Sequence, residues 1–254
     1  MKVEWRREWD LLRTALMFLT RLPVGRGLAF DKDLLNGAAR YFPLVGLLVG
    51  LIGALTYGIA VLLFTPAVAV LLSMAATVLI TGAFHEDGFA DVCDGFGGGS
   101  RREQVLTIMK DSRVGSFAAV GLFLLLTTKF SALEALDNAA LVGTSLMVAH
   151  ALSRLLAVSY LAEYSYVRDD DSSKVKPLAT QMSGNALRFA MASTLPLLLL
   201  ISIWQALTVC VVLLLWRYAF GYYMHKRIGG YTGDCLGAAQ QIAEVLIYLV
   251  LLAL

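Results

Sequence analysis

Seven mostly apolar stretches, at 42–64, 67–84, 114–132, 139–162, 187–205, 207–224 and 232–253, run through the chain. Each is close to the ~20 residues an α-helix needs to cross the hydrocarbon core of a bilayer. Inside hydrocarbon, backbone N–H and C=O groups must be paired within a helix or a closed barrel. No strand-like alternation, internal repeat or long low-complexity tract competes with helix. The expected fold class is therefore all-α: a polytopic integral membrane helical bundle of about seven transmembrane helices, forming one domain over residues 1–254. Hydrophobic residues make up 58 % of the chain and charged residues 16 %, well outside the balance of a soluble domain. The last stretch is the least apolar, because Asp234, Gln240, Gln241 and Glu244 occupy its first half; a half-buried or re-entrant helix is the alternative reading there.

Before the first stretch, Trp5, Trp9 and Leu12 share one helical face while Arg6, Arg7 and Arg13 lie elsewhere on the turn, the pattern of an N-terminal helix lying in the membrane interface. Arg13 and Arg21 interrupt the apolar character of this region and no small-x-small cleavage site follows, so it reads as mature protein rather than a secretory signal. Lys and Arg gather in segment 1–41, the connection 85–113, the loop 163–187 and the pair Lys226 and Arg227, whereas the connections near Thr65, 133–138 and Gln205 have none. By the positive-inside rule the basic segments and the N-terminus face the cytoplasm and the C-terminus faces out, which suits the inner (cell) membrane. The tract 169–177 is polar and loop-like. Cys93, Cys210 and Cys235 are odd in number and have no ligand-like spacing, so neither a disulfide framework nor a zinc site is expected. A net charge of +2, with no basic run carrying interleaved aromatics, excludes a nucleic-acid partner.

Asp87, Asp91 and Asp94 stand at i, i+4 and i+7 directly after the second apolar stretch. On a helix they form a narrow stripe. Such a stripe repels itself unless a cation sits in it. Carboxylate oxygens are the hard ligands Mg2+ prefers, and Mg2+ commonly bridges protein carboxylates to substrate phosphates. Further along, Asp111 could add a fourth metal carboxylate while Lys110 and Arg113 neutralise a diphosphate; positive-inside flanking charge suffices for Arg101 and Arg102. Asp234, among Gly229, Gly230 and Gly233, also suits an ordinary helix cap. Glu244 lies deeper and needs a partner, with Lys129, Arg154 and Arg217 the basic residues placed within spans. Structural pairing is as good an explanation for these as catalysis, so only Arg154 carries a provisional substrate-binding role. His85 abuts the acids and could titrate near neutrality, whereas His150 has no such neighbourhood and His225 flanks a basic connection. A divalent metal, diphosphate-binding cations and a membrane setting point to phosphoryl or phosphodiester transfer.

The blocks "FLTRLP" at 18–23, "FPLVGLLVG" at 42–50, "TGAFHEDGFADVCDG" at 81–95, "IMKDSRVGS" at 108–116 and "GGYTGDCLGA" at 229–238 resemble, in order and end to end, the cobalamin synthase family of adenosylcobinamide-GDP ribazoletransferases. The resemblance implies a late step of cobalamin biosynthesis. The hydroxyl of alpha-ribazole or of its 5'-phosphate attacks the cobinamide-linked phosphorus of adenosyl-GDP-cobinamide, GMP leaves, and Mg2+ is the expected cofactor. It makes Asp87, Asp91, Asp94 and Asp111 metal and diphosphate-site residues, with His85 or a spare carboxylate as base. Lys110 and Arg113 then hold the diphosphate and Asp234 completes the site. It also admits a homo-oligomer and association with other cobalamin-pathway enzymes. Two other readings stand beside it. "DVCDG" at 91–95 partly resembles the lipid-directed CDP-alcohol phosphotransferases, without their longer acidic signature, and Asp234 with Glu244 could line the path of a cation transporter.

Overall fold

The computed structural model describes residues 2–25, 27, 28, 32–136, 138–168 and 179–254. The polar tract 169–177, with Lys174 and Lys176, lies outside the described residues, as does Arg26. Among the described residues the chain is all helix, with one isolated bridge between Tyr166 and Tyr231.

Helix α1 (Lys2–Leu19) turns Leu11, Ala15 and Leu19 inward and leaves Trp5 and Trp9 exposed, the division expected of a helix at a membrane surface. Glu8 on α1 pairs with Arg40 and accepts from the Tyr41 hydroxyl at 2.5 Å, which fastens α1 to the 3-10 turn Ala39–Tyr41 after α2 (Lys32–Ala38). Helix α3 (Phe42–Ala60) crosses α8 (Ala139–Ser159) at close range. A Cβ at Gly46 would stand 2.2 Å from the His150 carbonyl, and one at Gly50 would stand 2.6 Å from that of Leu146. Small residues four apart let two helix backbones approach in this way.

Helix α4 (Pro66–Thr81) has proline in its first turn and stops where Gly82 and Ala83 take left-handed φ of 68° and 58° in succession. Helix α5 (Phe84–Gly98) therefore starts afresh, bent 88° from α4, and packs on α11 and α7. After α6 (Arg102–Ile108) come α7 (Ser116–Glu134), α8, α9 (Gly184–Thr194), α10 (Ile203–Ile228) and α11 (Gly233–Ala253). Among the described residues, five helices are long and apolar enough to cross a membrane, or six if the bent α4–α5 pair counts as one span. This corrects the expected count of seven. The stretch 187–205 is not one helix: α9 gives way to a 3-10 segment, Leu195–Leu200, with Pro196 near its start, and Ser202 then caps a new helix. Proline removes a backbone donor and clashes with the preceding turn, which ends an α-helix.

Leu55, Ile59, Leu62, Phe123, Leu124 and Leu215 are all more than half exposed. Exposed apolar surface on this scale marks an interaction surface, and on helices of membrane-spanning length and hydropathy that surface is lipid-facing: the protein is a multi-pass membrane protein. Helix α11 is continuous rather than re-entrant. It lies inside the bundle, where Gln240, Gln241 and Glu244 are buried.

Candidate active site

The three stripe aspartates lie on one continuous helix, although α5 carries four glycines in its fifteen residues. Each interior glycine costs about 1 kcal/mol relative to alanine, and here they permit contact. A Cβ at Gly88 would stand 3.0 Å from the Cα of Asp234, so α5 lies directly on the first turn of α11. That crossing adds Asp234 to Asp87 and Asp91. Burial, then Asp234, then Asp87 push the Asp91 carboxyl up to about 7, with Arg168 acting in the opposite sense.

Arg168 is the residue that sequence reading missed. Its Nη2 donates to Asp234 Oδ2 at 2.6 Å and to the Met109 carbonyl at the end of α6 at 3.1 Å. It is positioned by backbone pairing, with Val167 N–H on the Tyr231 carbonyl and Tyr231 N–H on the Ser165 carbonyl, both 3.0 Å. A Cβ at Gly230 would sit 2.1 Å from that Ser165 carbonyl. Nothing in the local pattern around Arg168 marks it.

Asp94 has a bonded position of its own. Its Oδ2 accepts from Gly115 N–H at 2.6 Å and its Oδ1 from Ala118 N–H at 2.9 Å, so it caps the start of α7, where unpaired N–H groups favour an anion. Asp111 is held by Arg113, whose Nη2 lies 2.6 Å and Nε 3.0 Å from the carboxylate. That contact lowers the Asp111 carboxyl to about 2. The pair and Asp94 line one open cleft, and Lys110 is exposed nearby. His85 falls two residues before Asp87, about 200° round the helix. It is buried with its ring edge-on to Phe84 and, with Arg154, lines an apolar pocket on another side of α5. Burial and Arg154 hold His85 well below its ordinary pKa.

Glu244 finds Lys129, the first of its three expected partners, at 2.8 Å, and also His150 at 3.3 Å. Arg217 instead pairs with Glu163 at 2.5 Å. Arg154 donates to the His150 carbonyl at 2.8 Å.

Among the described residues, no three of His, Cys, Asp and Glu stand close enough to share one metal ion as they are placed. The donors gathered at the α5–α11 crossing are nonetheless carboxylate oxygens with excess negative charge between them, the chemistry a hard divalent cation takes. The arrangement offers an acidic floor, a nearby open cleft lined by Asp94, Asp111 and Arg113, and a cation, Arg168, bonded to Asp234.

A family model described as Cobalamin-5-phosphate synthase matches residues 11–252. An "Adenosylcobinamide-GDP ribazoletransferase" of Shewanella piezotolerans is 47 % identical over 98 % of this chain and 96 % of its own length. Proteins of the same name from Shewanella frigidimarina and Shewanella pealeana are 48 % and 46 % identical, each over 97 % of their length and 99 % and 98 % of this chain. No solved structure matches.

Proposed function

The chain belongs to the Cobalamin-5-phosphate synthase family, and from that premise we propose that it is a Mg2+-dependent adenosylcobinamide-GDP ribazoletransferase of the inner membrane. In this reading it joins adenosyl-GDP-cobinamide to alpha-ribazole or its 5'-phosphate, releases GMP, and works from the cytoplasmic face. The observation that carries the site assignment is the convergence of Asp87 and Asp91 of α5 with Asp234 of α11 across the Gly88 contact.

Asp87, Asp91 and Asp234 would hold Mg2+, with Asp94 and Asp111 at the margin of the site. When bound, the ion would neutralise charge on the phosphoryl oxygens. Arg113, which lines the open cleft, binds the diphosphate of the GDP moiety together with the exposed Lys110; Arg113 can exchange its exposed partner Asp111 for phosphate oxygens, to which its planar fork is matched. Arg168 orients Asp234. The proton of the attacking ribazole hydroxyl goes to a carboxylate oxygen of the cluster, since His85 lies on another side of the helix. The basic end of the bundle, with α1, α6 and the start of α11, faces the cytoplasm, where the nucleotide substrates are found.

The transporter reading needs Glu244 free to take up a cation, whereas Lys129 already neutralises it at 2.8 Å. The test is GMP release from GDP-cobinamide and alpha-ribazole 5'-phosphate by protein in lipid nanodiscs. Release is expected to require divalent metal and to be abolished in Asp91→Asn. Full activity in that variant overturns the site assignment, and CDP-alcohol incorporation into lipid without cobinamide-dependent GMP release overturns the reaction.

A further inference from the structure

Helix α5 must present its acids at a fixed rotation about its own axis. Side-chain tips stand about 5–6 Å from a helix axis, so a 20° rotation moves a carboxylate by about 2 Å. A misplacement of 1 Å at a reacting centre can cost about 100-fold in rate. Rotation is ordinarily set by side-chain ridges seated in grooves; α5 seats Phe89, Val92 and Phe96 in the core, but it presents glycine rather than a ridge where Gly88, Gly95 and Gly97 meet α11, Met109 and Phe117. Hydrogen bonds therefore bear on its setting. At the C-terminal end, Arg227 Nη2 donates to the Phe96 and Gly99 carbonyls and Asp94 is tied to α7.

At the N-terminal end the tie is Glu86, next to Asp87. Its Oε1 accepts from Gln241 Nε2 of α11 at 3.0 Å. Gln241 in turn accepts from Lys129 Nζ at 2.5 Å, and Lys129 donates to Glu244 at 2.8 Å. Gln240 donates to Glu244 at 2.5 Å and to Ser153 of α8 at 3.0 Å. Gln241, Lys129 and Glu244 are each at most 5 % exposed. One bonded chain thus joins α5 to α7, α8 and α11 through the interior of the bundle. Gln241 is the link that needs both halves of an amide, a donor for Glu86 and for Gln240 Oε1 at 2.9 Å and an acceptor for Lys129. Glu86 carries a cost of its own, since its Oε2 is buried without a hydrogen-bond partner and such an atom is unfavourable.

We infer that Glu86 and Gln241 are positioning residues for the acidic stripe, their hydrogen bond setting the rotation of α5 and with it the placement of Asp87 and Asp91. This rests on the proposed role of those aspartates. Neither residue needs to touch substrate, and the interior chain through Lys129 is the anchor from which α5 is held.

The test uses the full-length protein in nanodiscs and reads three quantities: the Mg2+ concentration for half-maximal GMP release, Mn2+ binding by electron paramagnetic resonance, and the thermal midpoint. Gln241→Glu sets two carboxylates face to face and is expected to raise the half-saturating Mg2+ about 10-fold or more. The exchange pair Glu86→Gln with Gln241→Glu restores a donor opposite an acceptor between positions 86 and 241, keeps the net charge, and should recover at least about 3-fold of the Gln241→Glu loss although the donor to Gln240 Oε1 is gone, a coupling of the kind a double-mutant cycle isolates. Glu86→Ala removes the unsatisfied oxygen, so it should keep the thermal midpoint within a few degrees while weakening Mn2+ binding. An exchange pair no better than Gln241→Glu overturns the inference, as does Glu86→Ala with unchanged metal dependence. Asp91→Asn, run alongside, separates the two failures: if it retains activity the site reading fails and the inference with it, whereas if it is dead while Glu86→Ala and Gln241→Glu match wild type, only the inference fails.

Discussion

Arg168 Nη2 lies 2.6 Å from Asp234 Oδ2, joining residues 66 positions apart at the back of the acidic crossing. Both side chains are largely buried, and the same guanidinium holds the last turn of α6 through the Met109 carbonyl. Arg168→Met leaves Asp234 facing Asp87 and Asp91 with no fixed counter-charge. Loss of a hydrogen-bonded partner to a charged group costs about 1–3 kcal/mol, so the thermal midpoint should drop by several degrees and GMP release by 10-fold or more. Arg168→Lys should recover part of the stability but not the simultaneous contact with Met109. Steady-state kinetics and differential scanning fluorimetry on both variants check this.

Asp94 and Asp91 lie three residues apart on one stripe and should separate cleanly. Asp94→Ala removes the cap of α7 and should cost about 1–2 kcal/mol of stability, seen as a lower thermal midpoint. Asp91→Ala should leave the midpoint unchanged or higher while removing activity. Equal loss of stability in the two variants would contradict the division between capping and chemistry.

The raised Asp91 carboxyl sets a direction for stability against pH. In the unfolded chain it titrates near 3.8 and in the folded protein near 7, so the folded state holds the proton more tightly between those values. Stability from this group is therefore greatest below about pH 4, falls as pH rises toward 7, and is level above that. In EDTA, the thermal midpoint of Asp91→Asn minus that of wild type should grow from pH 5 to pH 8. In the proposed metal site divalent metal would compete with the same proton, so the half-saturating Mg2+ should fall over the same range. A constant midpoint difference across it would count against the raised carboxyl.

Lys129 and Glu244 form a buried ion pair inside the bundle. Removing one partner of such a pair typically costs about 3–5 kcal/mol because the other charge is left uncompensated. Lys129→Met or Glu244→Leu should lower the thermal midpoint sharply, and the double replacement should recover a substantial part. Urea or thermal unfolding of the three variants in one detergent measures it.

The helical membrane architecture was legible because long apolar runs in hydrocarbon leave few alternatives, and the Asp87, Asp91 and Asp94 stripe because its spacing survives on one helix. Glu244 announced its need for a buried cation, and Lys129 was among three candidates. Other features depend on conformation that hydropathy does not carry. Pro196 lies inside an apolar run whose composition masks the break it makes, and the 88° bend at Gly82 and Ala83 needs two successive left-handed residues, only one of them glycine. Asp94 as a cap for α7 and Arg168 beside Asp234 are tertiary relations, set by the packing of α5 on α7 and by the pairing of 165–167 with Tyr231. Asp111 and Arg113, read as separate ligands for metal and phosphate, hold each other in the structure.

The claim that Asp87, Asp91 and Asp234 form the metal-binding floor is tested most directly by Mn2+ binding to the nanodisc-embedded protein with GDP present, followed by electron paramagnetic resonance. Wild type should bind Mn2+ in competition with Mg2+, and Asp91→Asn and Asp234→Asn should each lose that binding while keeping a cooperative thermal transition. Wild-type Mn2+ affinity in both variants would contradict the account.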